Sequence, residues 1–321
     1  AGGTHLVMEV SSHALDQHRV DGIDFTAAVF TNLSGDHLDY HGSMEDYFNS
    51  KKRLFESLQP GAVAVLNRDE PMSEPLAEIT RARVVWYGLS SASDVFGQID
   101  SIDITGSAFI VQVGNRQVHL RTSLVGRHNI YNCLAATAAA RALGVGLEEI
   151  ISAIGQLRHV PGRVQRVDVD APFTVLVDYA HTDDALSKVL SALRPITGHR
   201  LILVFGCGGN RDKTKRPRMA GVAQRWADVI IVTSDNPRNE NPHDIIEDIL
   251  EGFSPAGRNK VIVEPDRRSA IECAIKKAGK DDVILIAGKG HENYQIIGNE
   301  RIHFDDAEAV KEILGSGLDS G

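Results

Sequence analysis

Asp235, Asn236, Pro237 and Arg238 stand together just past the apolar run Val229–Val232, separated from it by Thr233 and Ser234. Such a run reads as a buried parallel strand. The polar quartet therefore begins at a strand's C-terminal end, the edge at which open α/β sheets bind ligands. Asp235 can take an ammonium, Arg238 can fork onto a carboxylate, and Asn236 can serve either. A rigid proline among them would suit recognition of a zwitterion. Asp-Asn-Pro is equally good turn chemistry, and spacing alone does not separate the two readings.

Five further clusters carry polar chemistry. Glu9 precedes Ser11, Ser12, His13 and Arg19. In Asp36-His37-Leu38-Asp39-Tyr40-His41, two histidines four apart with interleaved aspartates could ligate a metal or form a polar loop with a helix cap. No third nitrogen or sulfur ligand is close in sequence, which argues against zinc. The glycine-rich stretch Phe205–Lys213 follows a strand and could bring backbone N–H groups to a phosphate or carboxylate. It matches neither a dinucleotide fingerprint nor a Walker A loop. Asp178-Tyr179-Ala180-His181 and Gly288-Lys289-Gly290-His291-Glu292 also follow strands. Singly, each has a structural explanation, as does Lys51 on a helix. Together, four strand ends bearing Gly, His or charge point to one shared crevice.

The elements that must position these groups read as α/β. In the first part the pattern predicts strands at 5–10, 27–33, 62–66 and 84–88, with helices at 44–58 and 72–82. A β-hairpin over 95–121 turns at Gly114-Asn115, and helices follow at 129–143 and 147–157. Pro161-Gly162 marks a linker, and 157–163 a candidate hinge. Beyond it, strands at 173–178, 201–205, 228–233, 260–264 and 282–287 alternate with helices at 183–194, 215–226, 243–252, 267–278 and 305–314. This implies a doubly wound parallel sheet. The expected domains are 1–157 and 158–321.

Composition narrows the function classes. The 321 residues carry 34 basic and 43 acidic side chains, a formal net charge of -9, which argues against a general nucleic-acid binder. Three separated cysteines support neither a disulfide framework nor a zinc finger. No apolar run approaches membrane-spanning length, and no secretion leader is visible. A reduced, cytoplasmic setting fits.

In order and spacing, the chain resembles the Mur ligases over nearly its whole length. The residues carrying the resemblance are Met8–Leu15, Phe30–Gly42, Val177–Thr182, Phe205–Lys213 and Ala287–Glu292. Asp235-Asn236-Pro237-Arg238 is similar to the motif of members that select meso-diaminopimelate; lysine-adding members differ there. The resemblance implies a central ATPase domain followed by a Rossmann-like C-terminal domain. It further implies an ATP-dependent ligase that activates the D-glutamyl carboxylate of UDP-MurNAc-L-Ala-D-Glu as an acyl phosphate, which the amine of meso-diaminopimelate attacks.

Residue roles implied by the resemblance are as follows. Glu9, His37 and a carbamylated Lys51 would hold Mg2+. Ser11 and Arg19 would contact the UDP-muramyl peptide. Asn129, Arg163, Asp178 and His181 would contact ATP, and Lys213 would help neutralise phosphates. Arg211, Asp235, Asn236, Pro237, Arg238, Gly288 and Glu292 would receive the amino acid. The family also implies a monomer.

Family members carry an N-terminal uridine-nucleotide domain and a Gly-Lys-Thr phosphate loop ahead of the segment matching residue 1. The expectation is that this chain alone has negligible ligase activity, or serves as a binding module retaining the amino-acid pocket. Three smaller departures are Gly35, Asp183 and Asn210, where Arg, Pro and Asp are common.

Overall fold

Uninterrupted runs of Val, Ile and Leu become the central strands in a computed structural model, which describes residues 2–33 and 38–316. The chain divides into two compact units at Gln156/Leu157, with the short stretches Ile102–Gly106 and Ser123–Gly126 belonging to the second.

The first unit contains α1 (Ser12–Asp16), β1 (Ala27–Phe30), α2 (Leu38–His41), α3 (Met44–Glu56), β2 (Val63–Asn67) and α4 (Ser73–Ile79). It continues with β3 (Arg83–Gly88), β4 (Val95–Asp103), β5 (Gly106–Val113), β6 (Arg116–Thr122), α5 (Arg127–Ala142) and α6 (Leu147–Gln156). These strands form one sheet in the order β1-β2-β3-β4-β5-β6. Neighbours from β1 to β4 pair parallel, and β5–β6 is an antiparallel hairpin. Its turn places Gly114 at φ +57°, a left-handed conformation that glycine adopts without a Cβ penalty. The helix bearing Lys51 begins where Ser43 caps α3, accepting the Asp46 N–H. Its apolar face, Phe48 and Phe55, packs with Phe30, Leu66 and Leu76.

Two expectations here are corrected. Residues 5–10 form no strand: they join no ladder among the described residues, and Leu6 and Val7 are exposed. A short apolar stretch becomes a strand only where a neighbour supplies the hydrogen bonds. The strand expected at 27–33 ends at Phe30, where its register with β2 ends at Leu66. Thr31 and Asn32 are thereby left at the strand's C-terminal mouth.

The second unit begins with β7 (Gln165–Arg166), β8 (Thr174–Asp178), α7 (Asp183–Leu193), β9 (Leu201–Phe205), α8 (Lys215–Trp226), β10 (Val229–Val232) and α9 (Pro242–Leu250). Then come α10 (Pro255–Arg258), β11 (Val261–Val263), α11 (Arg267–Lys277), β12 (Val283–Ala287), the pair β13 (Tyr294–Ile297) and β14 (Glu300–His303), and α12 (Asp306–Ser316). The main sheet runs β11-β10-β9-β12-β8-β7, parallel except for β7. Separate apolar cores cover its two faces, one including Leu203, Phe205 and Leu285, the other Val204, Ile231 and Ile284. This is the expected doubly wound arrangement. Strand β12 is the last of these strands in the chain, yet it lies between β9 and β8, so the winding direction reverses there. Such a switch opens a crevice at the carboxyl ends of the strands.

Asp183, where a proline would also be tolerated, opens α7 behind the capping Thr182, and its carboxylate suits the positive end of the helix. The β13–β14 hairpin was not anticipated. Its signal, apolar alternation either side of Gly298-Asn299, is present in the sequence.

Candidate functional site

Four loops, leaving β8, β9, β10 and β12 at one rim of the second sheet, surround a cavity of about 280 Å³. Tyr179 and His181 follow β8, Gly208 and Arg211 follow β9, and Asp235, Asn236 and Arg238 follow β10. Gly288 and Glu292 come from the loop after β12, and Tyr294 from β13. Six of the seven residues expected to receive an amino acid thus line one cavity. The seventh, Pro237, serves the loop: its carbonyl accepts the Glu240 N–H at 3.1 Å.

Close backbone approach makes this gathering possible. A Cβ on Gly209 would lie 1.9 Å from the Pro237 carbonyl oxygen, and one on Gly206 would lie 2.2 Å from that of Thr233. The β9 and β10 loops can pack this closely only with glycine there. Asn210, at φ +52°, closes the same turn and accepts the Asn239 N–H at 3.1 Å.

Arg238 is held in a left-handed conformation at φ +51°. Its N–H donates to the Ile296 carbonyl at 3.0 Å, and its own carbonyl accepts the Gly298 N–H at 2.7 Å. The overlooked hairpin therefore clamps a backbone that an arginine adopts only at a cost of about 1–3 kcal/mol. The guanidinium is steadied by bonds from Nη1 to the carbonyls of Gly209 (2.9 Å) and Asn236 (3.4 Å). The Asn236 amide is fixed on both sides. Its Oδ1 accepts from the Ile296 N–H at 2.9 Å and from Lys289 Nζ at 3.2 Å, and its Nδ2 donates to Glu292 Oε2 at 3.1 Å. Two carboxylates and two guanidiniums on one cavity can grip a ligand carrying both signs of charge.

The residues expected to contact ATP are distributed differently. Asp178 is buried and accepts the N–H groups of Val164 and Ala180, both at 2.8 Å. Burial pushes its carboxyl upward, while those two bonds and the nearby Arg163 act against the shift. It ties the 162–164 turn to β8. A Cβ on Gly162 would lie 2.2 Å from the His291 backbone nitrogen, so this expected linker glycine is a tight packing point. The Arg163 guanidinium lies 5.1 Å from the Tyr179 ring centroid. His181 Nδ1 meets the Tyr179 carbonyl at 2.8 Å, and the His181 carbonyl accepts from Lys215 Nζ. Lys213 does not line the cavity; it is exposed and pairs with Glu240 at 3.4 Å. Asn129 is buried in the first turn of α5 in the first unit.

In the first unit, a second cavity of about 330 Å³ is lined by Glu9, Ser11, Ser12, Thr31, Asn32 and Lys51, among others. Ser11 also caps α1. Lys51 stands over the Tyr47 ring, 5.0 Å from its centroid. Arg19 does not line this cavity. His37 and Gly35 lie outside the described residues. No group of three or more His, Cys, Asp or Glu side chains suited to a metal occurs among the described residues. The carboxylate, hydroxyl and amide oxygens of this cavity are hard donors that fit magnesium, which keeps waters and needs only one or two carboxylates.

Three cations support the rim from behind, and their burial had no signal in the sequence, although Lys289 lies in one of the polar clusters named there. Arg216 donates to Glu240, Asp248 and the Gly208 carbonyl. Arg267 forks onto Asp306 at 2.8 and 2.7 Å and also reaches the carbonyls of Ser234 and Ala287. Lys289 lies among Asp235, Asn236 and Glu292. Each sits in a helix or loop that reads as ordinary surface, so spacing offers no signal for burial.

Two family models match this chain: the Mur ligase middle domain over residues 1–140 and the Mur ligase glutamate ligase domain over residues 162–290. A UDP-N-acetylmuramoyl-L-alanyl-D-glutamate--2,6-diaminopimelate ligase of Geobacillus kaustophilus (strain HTA426) is 48% identical over 97% of this chain and 65% of its own length. Its namesake from Solibacter usitatus (strain Ellin6076) is 45% identical over 98% of this chain and 64% of its own length. A solved structure of a ligase of that name superposes with a TM-score of 0.66 at 37% identity, covering 96% of this chain and 64% of that one. The chain belongs to the Mur ligase family. It spans 64–65% of the length of these two curated relatives. Among the described residues, no helix is long and apolar enough to cross a membrane.

Proposed function

We propose that this chain supplies the amino-acid and nucleotide machinery of an ATP-dependent amide ligase. It joins meso-diaminopimelate to UDP-MurNAc-L-Ala-D-Glu in the cytoplasm, as a monomer, through an acyl phosphate. The observation that carries the reading is the gathering of Arg211, Asp235, Arg238 and Glu292 on one cavity. The names of relatives 45–48% identical support the same substrate.

In this reading Arg238 and Arg211 hold a carboxylate of diaminopimelate, and Glu292 with Asp235 holds an ammonium. Tyr179, His181 and Arg163 border the site where ATP is received, while Asp178 keeps their loop in place. The hard-oxygen cavity of the first unit, with Glu9 and Lys51, holds magnesium and the acidic end of the muramyl peptide; His37 joins that role. Carbamylation of Lys51 would replace a cation by an oxygen ligand of the kind magnesium prefers. Magnesium supplies charge neutralisation for phosphoryl transfer.

Calorimetric titration tests the reading. Meso-diaminopimelate is expected to bind this chain, and Arg238→Ala to weaken that binding at least tenfold while changing ATP binding less than threefold. Equal losses for both ligands would remove the assigned role from Arg238.

A further inference from the structure

Four of the side chains lining the amino-acid cavity converge on one ammonium that does not itself line it. Lys289 is fully buried. Its Nζ lies 3.5 Å from Asp235 Oδ1, 3.2 Å from Asn236 Oδ1 and 3.6 Å from Glu292 Oε2, and 5.6 Å from the Tyr294 ring centroid. The lysine is held there by its neighbours: Gly288 at φ +117° and Gly290 at φ +53° turn the chain sharply on either side. A Cβ at Gly290 would meet the Tyr179 backbone at 2.9 Å. The segment has no latitude to swing the ammonium elsewhere.

We propose that Lys289 is a specificity-determining counter-ion: it cancels one of the two carboxylate charges, so that the cavity selects an amino acid whose distal end is zwitterionic over one whose distal end is a bare ammonium. The inference rests on the amino-acid reading of this cavity and deepens it. Counting formal charges, Asp235 and Glu292 supply two negatives, and Lys289 leaves one of them uncompensated. One ammonium meets that remainder, and the carboxylate beside it is left to the guanidiniums of Arg238 and Arg211. Diaminopimelate carries an ammonium and a carboxylate at each end. Lysine lacks the distal carboxylate and carries one more positive charge overall. Without Lys289 the cavity becomes more negative by one unit, at a point shielded from water and 3.2–3.6 Å from three of its lining side chains. Coulombic attraction at that range is large enough to move a ligand ratio by about tenfold or more. A purely structural lysine would change both affinities together.

The test is calorimetric titration of the full chain with meso-diaminopimelate and, separately, with L-lysine at low ionic strength. The unaltered chain is expected to favour diaminopimelate at least tenfold. In Lys289→Gln that ratio is expected to fall at least tenfold, with lysine affinity held or raised, while Lys289→Arg, which keeps the charge, retains the preference. Parallel loss for both ligands in Lys289→Gln would overturn the proposal. Should that variant not fold, Lys289→Met, which removes the charge and keeps most of the side chain's length, is read in the same way: the ratio is expected to fall at least tenfold, and parallel loss for both ligands would overturn the proposal equally. Failure of the unaltered chain to bind either amino acid would instead sink the amino-acid reading, and the counter-ion role with it.

Discussion

Removing the carboxylate of Asp306 should strongly destabilise the second unit. Arg267 and Asp306 are both fully excluded from water, and the guanidinium meets the carboxylate through Nε and Nη2. Burial alone would lower the arginine's pKa, but Asp306 outweighs it and holds the guanidinium charged. Asp306→Leu would therefore strand a cation in the core, at a cost of about 3–5 kcal/mol. For a unit of this size that corresponds to a fall in melting temperature of about 6–20 °C. Arg267→Met/Asp306→Leu removes both charges. It should recover much of the loss, because apolar replacement of a whole buried pair is often neutral or better. The recovery will be incomplete, since the carbonyls of Ser234 and Ala287 lose a donor. Each unit holds one tryptophan, Trp86 in the first and Trp226 in the second. Thermal unfolding read from Trp226 fluorescence in a Trp86→Phe background therefore isolates the relevant transition. A melt of Asp306→Leu within 2 °C of its parent, or a double variant less stable than the single, would refute the argument.

Two shorter predictions follow from the same unit. Asp282 accepts bonds from Arg200, His199 and the Gly279 N–H; burial would raise its carboxyl, but these bonds hold it well below the usual carboxylate range. Its contribution is present above its unfolded pKa of about 3.9 and is lost as pH falls through the lower folded value. Asp282→Asn should thus be less stable at pH 7 and show a flatter loss of stability below pH 4; parallel curves for parent and variant would contradict this. Gly209→Ala would drive a Cβ against the Pro237 backbone, so the β9 and β10 loops must part. Overpacking of about 1–3 kcal/mol is expected, together with at least tenfold weaker diaminopimelate binding in titration. Unchanged affinity would show that the loops' close approach is dispensable.

The sheet of the second unit was legible because buried parallel strands need long apolar runs, and Leu201–Phe205 and Val283–Ala287 have no other use. The rim was legible because Gly, Asp, Asn and Arg have no reason to crowd the ends of such runs. His5–Val10 failed for the complementary reason: a short apolar stretch suggests a strand, but pairing with a neighbour is what forms one. Arg216, Arg267 and Lys289 stayed hidden because charge in a sequence signals solvent, and only the fold reveals which cations are enclosed by acceptors.

Those enclosed cations also explain how loops can hold a charged ligand without collapsing or spreading. Asp235 and Glu292 must face the cavity together, and like charges so placed repel when the ligand is gone. Arg216 draws back the loop after β9 through Gly208, Arg267 fixes the carbonyls just before Asp235 and Gly288, and Lys289 offsets one of the two carboxylate charges from behind. Each cation comes from a different element, so the rim is braced from three directions. Desolvating three charges is costly, and apolar side chains would pack those positions as well. What apolar side chains could not do is hold two carboxylates, an amide and a left-handed arginine in position before the ligand arrives. The cost in stability of this bracing and the preorganisation of the site thus arise from the same residues, which is why variants that relax the first should weaken the second.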